Sequence, residues 1–491
     1  NHQKESRKMI NTKCNKFKGE IEKYLRIGQN NFDIKIDRAL CSLKLKTWLC
    51  KSNIIKREGY PAAHILLVLF VLPLLRLKSV NGFCNKNWHQ WSVAGKDTFY
   101  RFKSRAFAWR SLLYRIMVEV SNQLGFNKGP IADNYFIIDD TTLSKRGKLM
   151  ENVSYIYDHS IGRSVLGFCV VSLGLFTANG YYPLDFSYWV SNKRNAQSPI
   201  AVNHDRRSIS GQMSHEALNY TKLQLALRMI ERAVSHGLKA GYVLFDSWYA
   251  WPSFIQAIRK IKNDLHVICR LKDTKVQYEY RGKKYRLSAL YQKVKNDLRK
   301  SKRTGLLLKR VMVTMPGSDA PINIVFVKGY KEPEESETKG KRKQKEPKWA
   351  AFLSTDTRLQ APTVIKKYTK RWACEVFFKE SKQLLSFGKD SSNSFQSQVC
   401  ATTISFIRYA IINYLNEKEH HVGVGCLFEE LADKTATFTY AQRIWQFFKG
   451  LFEISFSKIF ELFEIEDDFQ SFFDQLNVSV SRFAPITGCE T

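Results

Sequence analysis

The sequence predicts an α/β fold built on a mixed sheet, with a helical region towards each end of the chain. Three observations carry this expectation. From about residue 131, short apolar runs ending in polar residues (YFIIDDTTL, GYVLFDSWY, LHVICRLK, WAAFLSTD) alternate with helical stretches such as HEALNYTKLQLALRMIERAVSHG and PSFIQAIRKI. Residues 1–130 and the last hundred residues carry helical periodicity instead. With 491 residues and 44% hydrophobic content, the chain can fill about two to four domains with sizeable cores.

The elements follow in order. In residues 1–130, DRALCSLKLKTWLC, the run Ile65–Leu75 and a segment opened by Asp97 as N-cap read as successive amphipathic helices. The run ILLVLFVLPLL is too short to span a bilayer and contains Pro73, so it predicts a buried helix. The Asp97 helix carries Arg101, Lys103, Arg105 and Arg110 beside Phe99, Tyr100, Phe102, Phe107 and Trp109. That pattern fits a helix-turn-helix-like DNA reader, and it equally fits a core helix with a solvated cationic face. Residues 131–271 predict the first part of the α/β domain. Residues 272–348 break the alternation with β-like pieces and the tract KEPEESETKGKRKQKEPK, predicting a β-rich insertion with a mobile charged loop. Residues 349–400 return to strand and then to a helix opened by Pro362. In the helical region 401–491, Phe448, Phe452, Phe456, Phe460 and Phe463 form a stripe expected to face a core.

Charge narrows the function. The formal charge is +33, from 78 Lys+Arg against 45 Asp+Glu. Such an excess argues against a small-molecule substrate and for a polyanionic partner, with nucleic acid foremost. The excess is placed: residues 1–130 hold 25 Lys+Arg and 8 Asp+Glu, whereas residues 439–491 hold 4 and 8. A basic protein can also bind anionic membranes, but nothing else in the sequence supports a membrane partner. The opening NHQKESRKMI lacks the apolar run of a secretory leader, and it begins with Asn1 rather than Met. The 10 cysteines are scattered without a C-x2-C pair, which disfavours a zinc ribbon and suits a reduced, cytoplasmic protein. The single His pair, His420-His421, reads as surface.

The most informative pattern is Tyr368-x2-Arg371-x3-Glu375-x6-Lys382, within PTVIKKYTKRWACEVFFKESKQLL. At about 100° per residue these four polar side chains fall within roughly 60° of arc on one helix face. Ordinary i,i+4 ion pairs on a solvated face give part of this pattern. A helix presenting a metal-binding carboxylate to a phosphodiester, with cations on the flanking phosphates, gives all of it. Two aspartates sit at the ends of apolar strands, Asp140 after YFII and Asp246 after YVLF, where an α/β sheet places carboxylates at its crevice. Together with Glu375 they would repel one another unless divalent cations neutralised them. Mg²⁺, which takes oxygen ligands, fits that demand, and two ions about 3.5–4 Å apart can serve both the attacking and the leaving oxygen.

These residues resemble the DDE transposases of bacterial insertion sequences that share the Y-x2-R-x3-E-x6-K signature. Asp-Asp-Thr-Thr at 139–142 with Ser-Lys-Arg-Gly-Lys at 144–148 is similar to that family's first catalytic segment, and Phe245-Asp246-Ser-Trp to the second. The third matches without a departure in spacing. The resemblance spans roughly residues 90–415 and implies an RNase H-like core with a β-strand insertion between the second Asp and the Glu. It implies Asp140, Asp246 and Glu375 as the metal-binding catalytic triad, with Mg²⁺ or Mn²⁺, and Tyr368, Arg371 and Lys382 as grips on the DNA phosphates. Asp139 and Asp140 point to opposite faces of a strand, and the family pattern favours Asp140, next to Thr141. Glu380 is an alternative third carboxylate that lies off the strip. The implied reaction is strand cleavage and strand transfer on double-stranded DNA by a homodimer bridging two ends, through a hairpin that needs a flipped base. Trp248 and Trp349 are both candidates to receive that base. Such a protein would be nucleoid-associated in a bacterial cytoplasm. A non-catalytic DNA-binding derivative is the alternative, disfavoured by three intact carboxylates.

Overall fold

The computed structural model describes residues 35–85, 92, 94–158, 161–191, 205–302, 304–329, 349–419, 423–436 and 448. The charged tract after residue 330, His420-His421 and the phenylalanine stripe beyond Phe448 lie outside these residues, as does most of the connection between residues 86 and 93.

Two compact units divide the chain. The first takes residues 1–47, 55–99 and 421–491, so parts of the regions expected at 1–130 and 401–491 share one unit, while residues 100–130 and 401–420 fall in the second. Its described elements are α1 (Lys35–Ser42), the start of α2 (Leu45–Lys51), α3 (Ala62–Val71), α4 (Val80–Asn85) and a helix over residues 424–436. α3 is the expected buried helix: Ile65, Leu66 and Val68 to Val71 are all buried, and it ends before Pro73. Lys35 to Glu430 at 3.1 Å and Arg76 to Glu429 at 2.7 Å tie the early helices to the late one. α5 (Lys96–Lys103) begins in this unit and finishes in the next. No described helix is long and apolar enough to cross a membrane.

The second unit, residues 48–54 and 100–420, holds the sheet. After α6 (Trp109–Leu124) come β1 (Tyr135–Ser144), β2 (Ser154–Asp158), β3 (Arg163–Thr177) and β4 (Gly180–Trp189). Then follow α7 (Ile209–Asn219), α8 (Lys222–Ser235), β5 (Tyr242–Phe245), α9 (Pro252–Ile261) and β6 (His266–Leu271). β3 runs antiparallel to β1 and to β4, whereas β5 is parallel to β1 and β6 parallel to β5. The order β4-β3-β1-β5-β6 with these directions is the RNase H-like arrangement. YFII and YVLF are continuous apolar runs because their strands are covered on both faces: Tyr135 to Ile138 and Tyr242 to Phe245 are all buried. Each strand then leaves the covered region at an aspartate.

The insertion extends the same sheet. It contributes β7 (Gln277–Tyr280), β8 (Lys283–Arg286), α10 (Leu287–Val294), β9 (Arg299–Lys300), β10 (Leu307–Thr314) and β11 (Pro321–Lys328). β12 (Trp349–Ser354) pairs antiparallel with both β6 and β11, so the order continues β6-β12-β11-β10-β7-β8 across a 12-stranded sheet. β7 and β8 are joined by Arg281 and Gly282, with φ of 51° and 75°, the doubly left-handed turn that matches strand twist.

The chain returns through α11 (Ala361–Tyr368), a 3₁₀ turn at Thr369–Arg371, α12 (Trp372–Leu384) and the 25-residue α13 (Phe395–Glu419). The signature segment is therefore two helices joined by a tighter turn, where its periodicity predicts one. Gly174 on β3 helps to seat α12: a Cβ there would come within 2.2 Å of the Tyr181 ring, whose hydroxyl donates to Cys374 of α12 at 3.2 Å. Phe377 of α12 packs against Phe406 and Tyr409 of α13 with ring centroids 5.1 and 4.8 Å apart. α12 is thereby clamped against the sheet beside β1.

Candidate active site

β1 alternates, and its alternation assigns the two adjacent aspartates to different neighbours. Asp139 and Thr141 face α12. Arg371 Nη1 donates to Asp139 Oδ2 at 2.6 Å, and its other terminal nitrogen donates to Glu375 Oε1. Lys382 Nζ donates to Thr141 Oγ1 at 2.6 Å and to the Thr142 carbonyl at 3.2 Å. Asp140 turns to the opposite face, where it accepts from Lys222 Nζ at 2.7 Å and from the Tyr249 hydroxyl at 2.8 Å. The carboxylate that shares Arg371 with Glu375 is thus Asp139, where the sequence pattern favours Asp140. Asp246 follows β5 directly, and its Oδ1 accepts the Trp248 backbone N–H at 3.0 Å.

Electrostatics show how crowded this negative charge is. Burial pushes the Asp139 carboxyl up to about 8; Arg371 opposes the rise, while Asp246, Asp140 and Glu375 add to it. Burial also raises Asp246, against the Trp248 N–H and Arg371, and Asp140 adds repulsion. Arg371 loses hydration, yet Asp139, Tyr368 and Glu375 hold it firmly protonated. Burial lowers Lys382. Tyr368 is buried, with its ring 4.8 Å from Phe352 and 5.8 Å from the Arg371 guanidinium.

Oxygen donors of this kind suit a hard divalent cation. Their arrangement, however, is that of carboxylates around a guanidinium: among the described residues no three acidic, His or Cys side chains converge as a metal cluster. Glu380, the alternative carboxylate, accepts from the Tyr409 hydroxyl at 3.1 Å and stands apart from the strip. Trp349 is stacked on Tyr291 at 4.4 Å and 11°, while Trp248 is 46% exposed two residues after Asp246.

The N-terminal cations need correction. Arg101 and Arg105 are exposed, but Lys103 and Arg110 are buried and committed elsewhere. Lys103 pairs with Asp390. Arg110 donates to Asp185 at 3.1 Å, Glu216 at 3.2 Å and Ser187 at 3.1 Å. A helical face read from sequence cannot show carboxylates supplied by distant strands and loops. Lys222 and Tyr249 went unnoticed for the same reason. Tyr249 lies three residues after Asp246, which is a weak signal, and Lys222 merely follows the Thr221–Gln224 capping box that opens α8.

Residues 56–286 match the family of DDE superfamily endonucleases, and residues 212–411 match the transposase DDE domain. These overlapping matches make the chain similar to DDE-type transposases and contain Asp139, Asp140, Asp246, Arg371 and Glu375 between them. Among solved structures, the chain is similar to piggyBac transposase in a cryo-EM synaptic complex with hairpin DNA. That likeness covers 85% of this chain and 83% of the other at 11% identity and a TM-score of 0.44. No curated protein matches the sequence.

Proposed function

We propose that the chain is a cut-and-paste transposase of the bacterial insertion-sequence type. It binds the ends of its own element in double-stranded DNA, cuts there and joins the freed 3′-hydroxyl to another phosphodiester. The observation that carries this reading is the meeting of Asp139, Arg371 and Glu375 beside Asp246, which brings residues 232 apart in sequence into direct contact. In each step an oxygen forms a bond to phosphorus in line with the bridging P–O bond that breaks, so the enzyme needs positioning and charge stabilisation more than covalent chemistry. Asp139, Asp246 and Glu375 would hold Mg²⁺ or Mn²⁺, two ions in the full site. A bound divalent cation supplies Lewis-acid stabilisation of the charge that develops on phosphate oxygens. Arg371 and Lys382 grip the phosphates beside the cut, and Tyr368 braces Arg371 from below. Of Trp248 and Trp349, Trp248 is the exposed indole and the one that would receive a base displaced during hairpin formation. The working form is a homodimer bridging two DNA ends, in the cytoplasm at the nucleoid.

The insertion adds weight to the polyanion. Residues 270–310 carry 15 Lys+Arg and 3 Asp+Glu, and Lys283, Lys284 and Arg286 are exposed on the outermost strand of the sheet. Replacing those three with alanine should weaken binding of any duplex and reduce the dependence of log Kd on log salt by about 2–3 units. A salt titration checks this; an unchanged slope would remove this edge from the DNA interface.

The decisive test is cleavage of labelled DNA bearing the element's ends, with Mg²⁺, by the wild type and Glu375→Ala. Nicking at the end is expected from the wild type and should fall below detection in the variant, while both bind the ends equally. A wild type that binds but never nicks with Mg²⁺ or Mn²⁺ would leave the non-catalytic DNA-binding derivative as the correct reading.

A further inference from the structure

The two faces of β1 give its adjacent aspartates separate surroundings. Asp140 is held by three elements at once: Lys222 at the start of α8 (2.7 Å), Tyr249 in the turn after β5 (2.8 Å) and the Cys169 thiol of β3, which donates at 3.3 Å. Lys222 in turn sits between two indoles, 5.0 Å from the Trp189 ring and 4.9 Å from the Trp248 ring. Trp248 is the residue whose backbone N–H fixes Asp246. A continuous set of contacts therefore runs from Asp140 through Tyr249 and the Lys222–Trp248 pair to Asp246.

We infer that Asp140 is a positioning residue: from behind the sheet it anchors the turn at residues 247–251 and so sets the orientation of Asp246, leaving Asp139 as the β1 carboxylate of the site. This inference rests on the proposed function. Its physical basis is that Asp139 shares Arg371 with Glu375 on one face of β1, whereas Asp140 is held on the other face by groups that are not carboxylates. Oδ1 takes the Tyr249 hydroxyl, while Oδ2 takes the charge-assisted Lys222 bond and the Cys169 thiol. The Lys222 ammonium is buried to 12% side-chain exposure, and giving up its partner would leave that charge among rings with no anion bonded to it. Trp248 itself is only tethered: it is 46% exposed, with the Lys222 cation over its ring and the Tyr249 ring 4.9 Å away. Loss of either arm of the Asp140 grip frees the turn that carries the Asp246 hydrogen bond. Partners that orient a metal ligand commonly matter almost as much as the ligand itself.

The test separates a ligand from its support by altering the support without touching a carboxylate. Mn²⁺ binding to the full chain, without DNA, is measured by electron paramagnetic resonance for the wild type, Asp139→Asn, Asp140→Asn and Tyr249→Phe, with melting temperatures alongside. Tyr249→Phe deletes only the hydroxyl. The positioning role predicts that Tyr249→Phe and Asp140→Asn each weaken Mn²⁺ binding by about 10- to 100-fold, Tyr249→Phe with an unchanged melting temperature and Asp140→Asn with a lowered one because Lys222 loses its anion, and that both alter Trp emission. It also predicts that Asp139→Asn abolishes binding. If Asp140→Asn abolishes binding while Tyr249→Phe and Asp139→Asn bind as the wild type does, Asp140 is the ligand and the inference is overturned. Wild-type affinity in both Asp140→Asn and Tyr249→Phe overturns it as well. Nicking of end DNA by the wild type, run in parallel, tests the transposase reading on its own: its absence would sink that reading whatever the Mn²⁺ pattern.

Discussion

Asp185→Ala is expected to destabilise the sheet-bearing unit by about 3–5 kcal/mol, the usual cost of removing one partner from a buried ion pair. Asp185 lies on β4 with 0% exposure. It accepts from Arg110 Nε at 3.1 Å, Arg232 Nε at 2.8 Å, the Tyr114 hydroxyl at 3.0 Å and the Phe186 N–H at 2.8 Å. Burial alone would raise its carboxyl, but Arg232 and Arg110 outweigh burial and hold it below the usual range. Glu216 also serves Arg110 and reaches Arg228 at 3.2 Å, so the alanine variant would leave the buried Arg110 and the half-buried Arg232 competing for one remaining anion. The sign in acid follows. A carboxyl with a lowered folded-state pKa contributes stability that is present above its unfolded value of 3.8 and is lost as pH falls through the folded value. The measurement is the urea midpoint of wild type and variant at neutral pH, repeated in acid, where the gap should narrow. Asp205→Ala serves as a control, because Asp205 pairs with Arg207 on the surface and should leave the midpoint in place. A wild-type midpoint for Asp185→Ala would show that the network is dispensable.

This network marks the limit of the sequence reading. The alternation of strands and helices was legible because apolar runs such as YFII and YVLF reflect burial on both faces, a local property of the chain. The carboxylate-bearing strip was legible because helical periodicity is local too, and Arg371, Glu375 and Lys382 do share a face towards β1. Tyr368 stays beside Arg371, its ring 5.8 Å from the guanidinium, because Thr369–Arg371 wind as a 3₁₀ turn, whose roughly 120° per residue brings positions three apart into line. The charges of Lys103 and Arg110 misled because their partners, Asp390 and Asp185, lie 287 and 75 residues away. The choice between Asp139 and Asp140 was limited in the same manner. Period 2 says that they face opposite ways, but only the packing of α12 on one side and α8 on the other says which way is which.

Arg371→Leu should raise the affinity of the metal-free protein for Mn²⁺ by about tenfold or more at pH 9, a gain of at least about 1.4 kcal/mol, while abolishing strand cleavage. The guanidinium occupies Asp139 Oδ2 at 2.6 Å and bonds to Glu375, so it draws on the lone pairs that a divalent cation would need. A cation arriving at the carboxylates has to displace it, and the freed guanidinium is then positioned to pair with a DNA phosphate. The proton is the second competitor, which is why pH matters. Because the folded-state value for Asp139 stands at about 8 against an ordinary 3.8, the folded chain retains a proton between those limits that the unfolded chain gives up. Its stability therefore declines as pH rises across that window, and Mn²⁺ binding below pH 8 releases a proton. Removing Arg371 takes away the influence that lowers Asp139 and pushes the carboxyl higher still. At neutral pH the two competitors change in opposite directions, so the gain in affinity should be small there and open fully only in alkali. Calorimetric titration of Mn²⁺ at pH 7 and pH 9 distinguishes this exchange from simple support of the site. Weaker binding by Arg371→Leu at pH 9, with the thermal transition intact, would mean that Arg371 holds the carboxylates in place for the metal instead of competing with it.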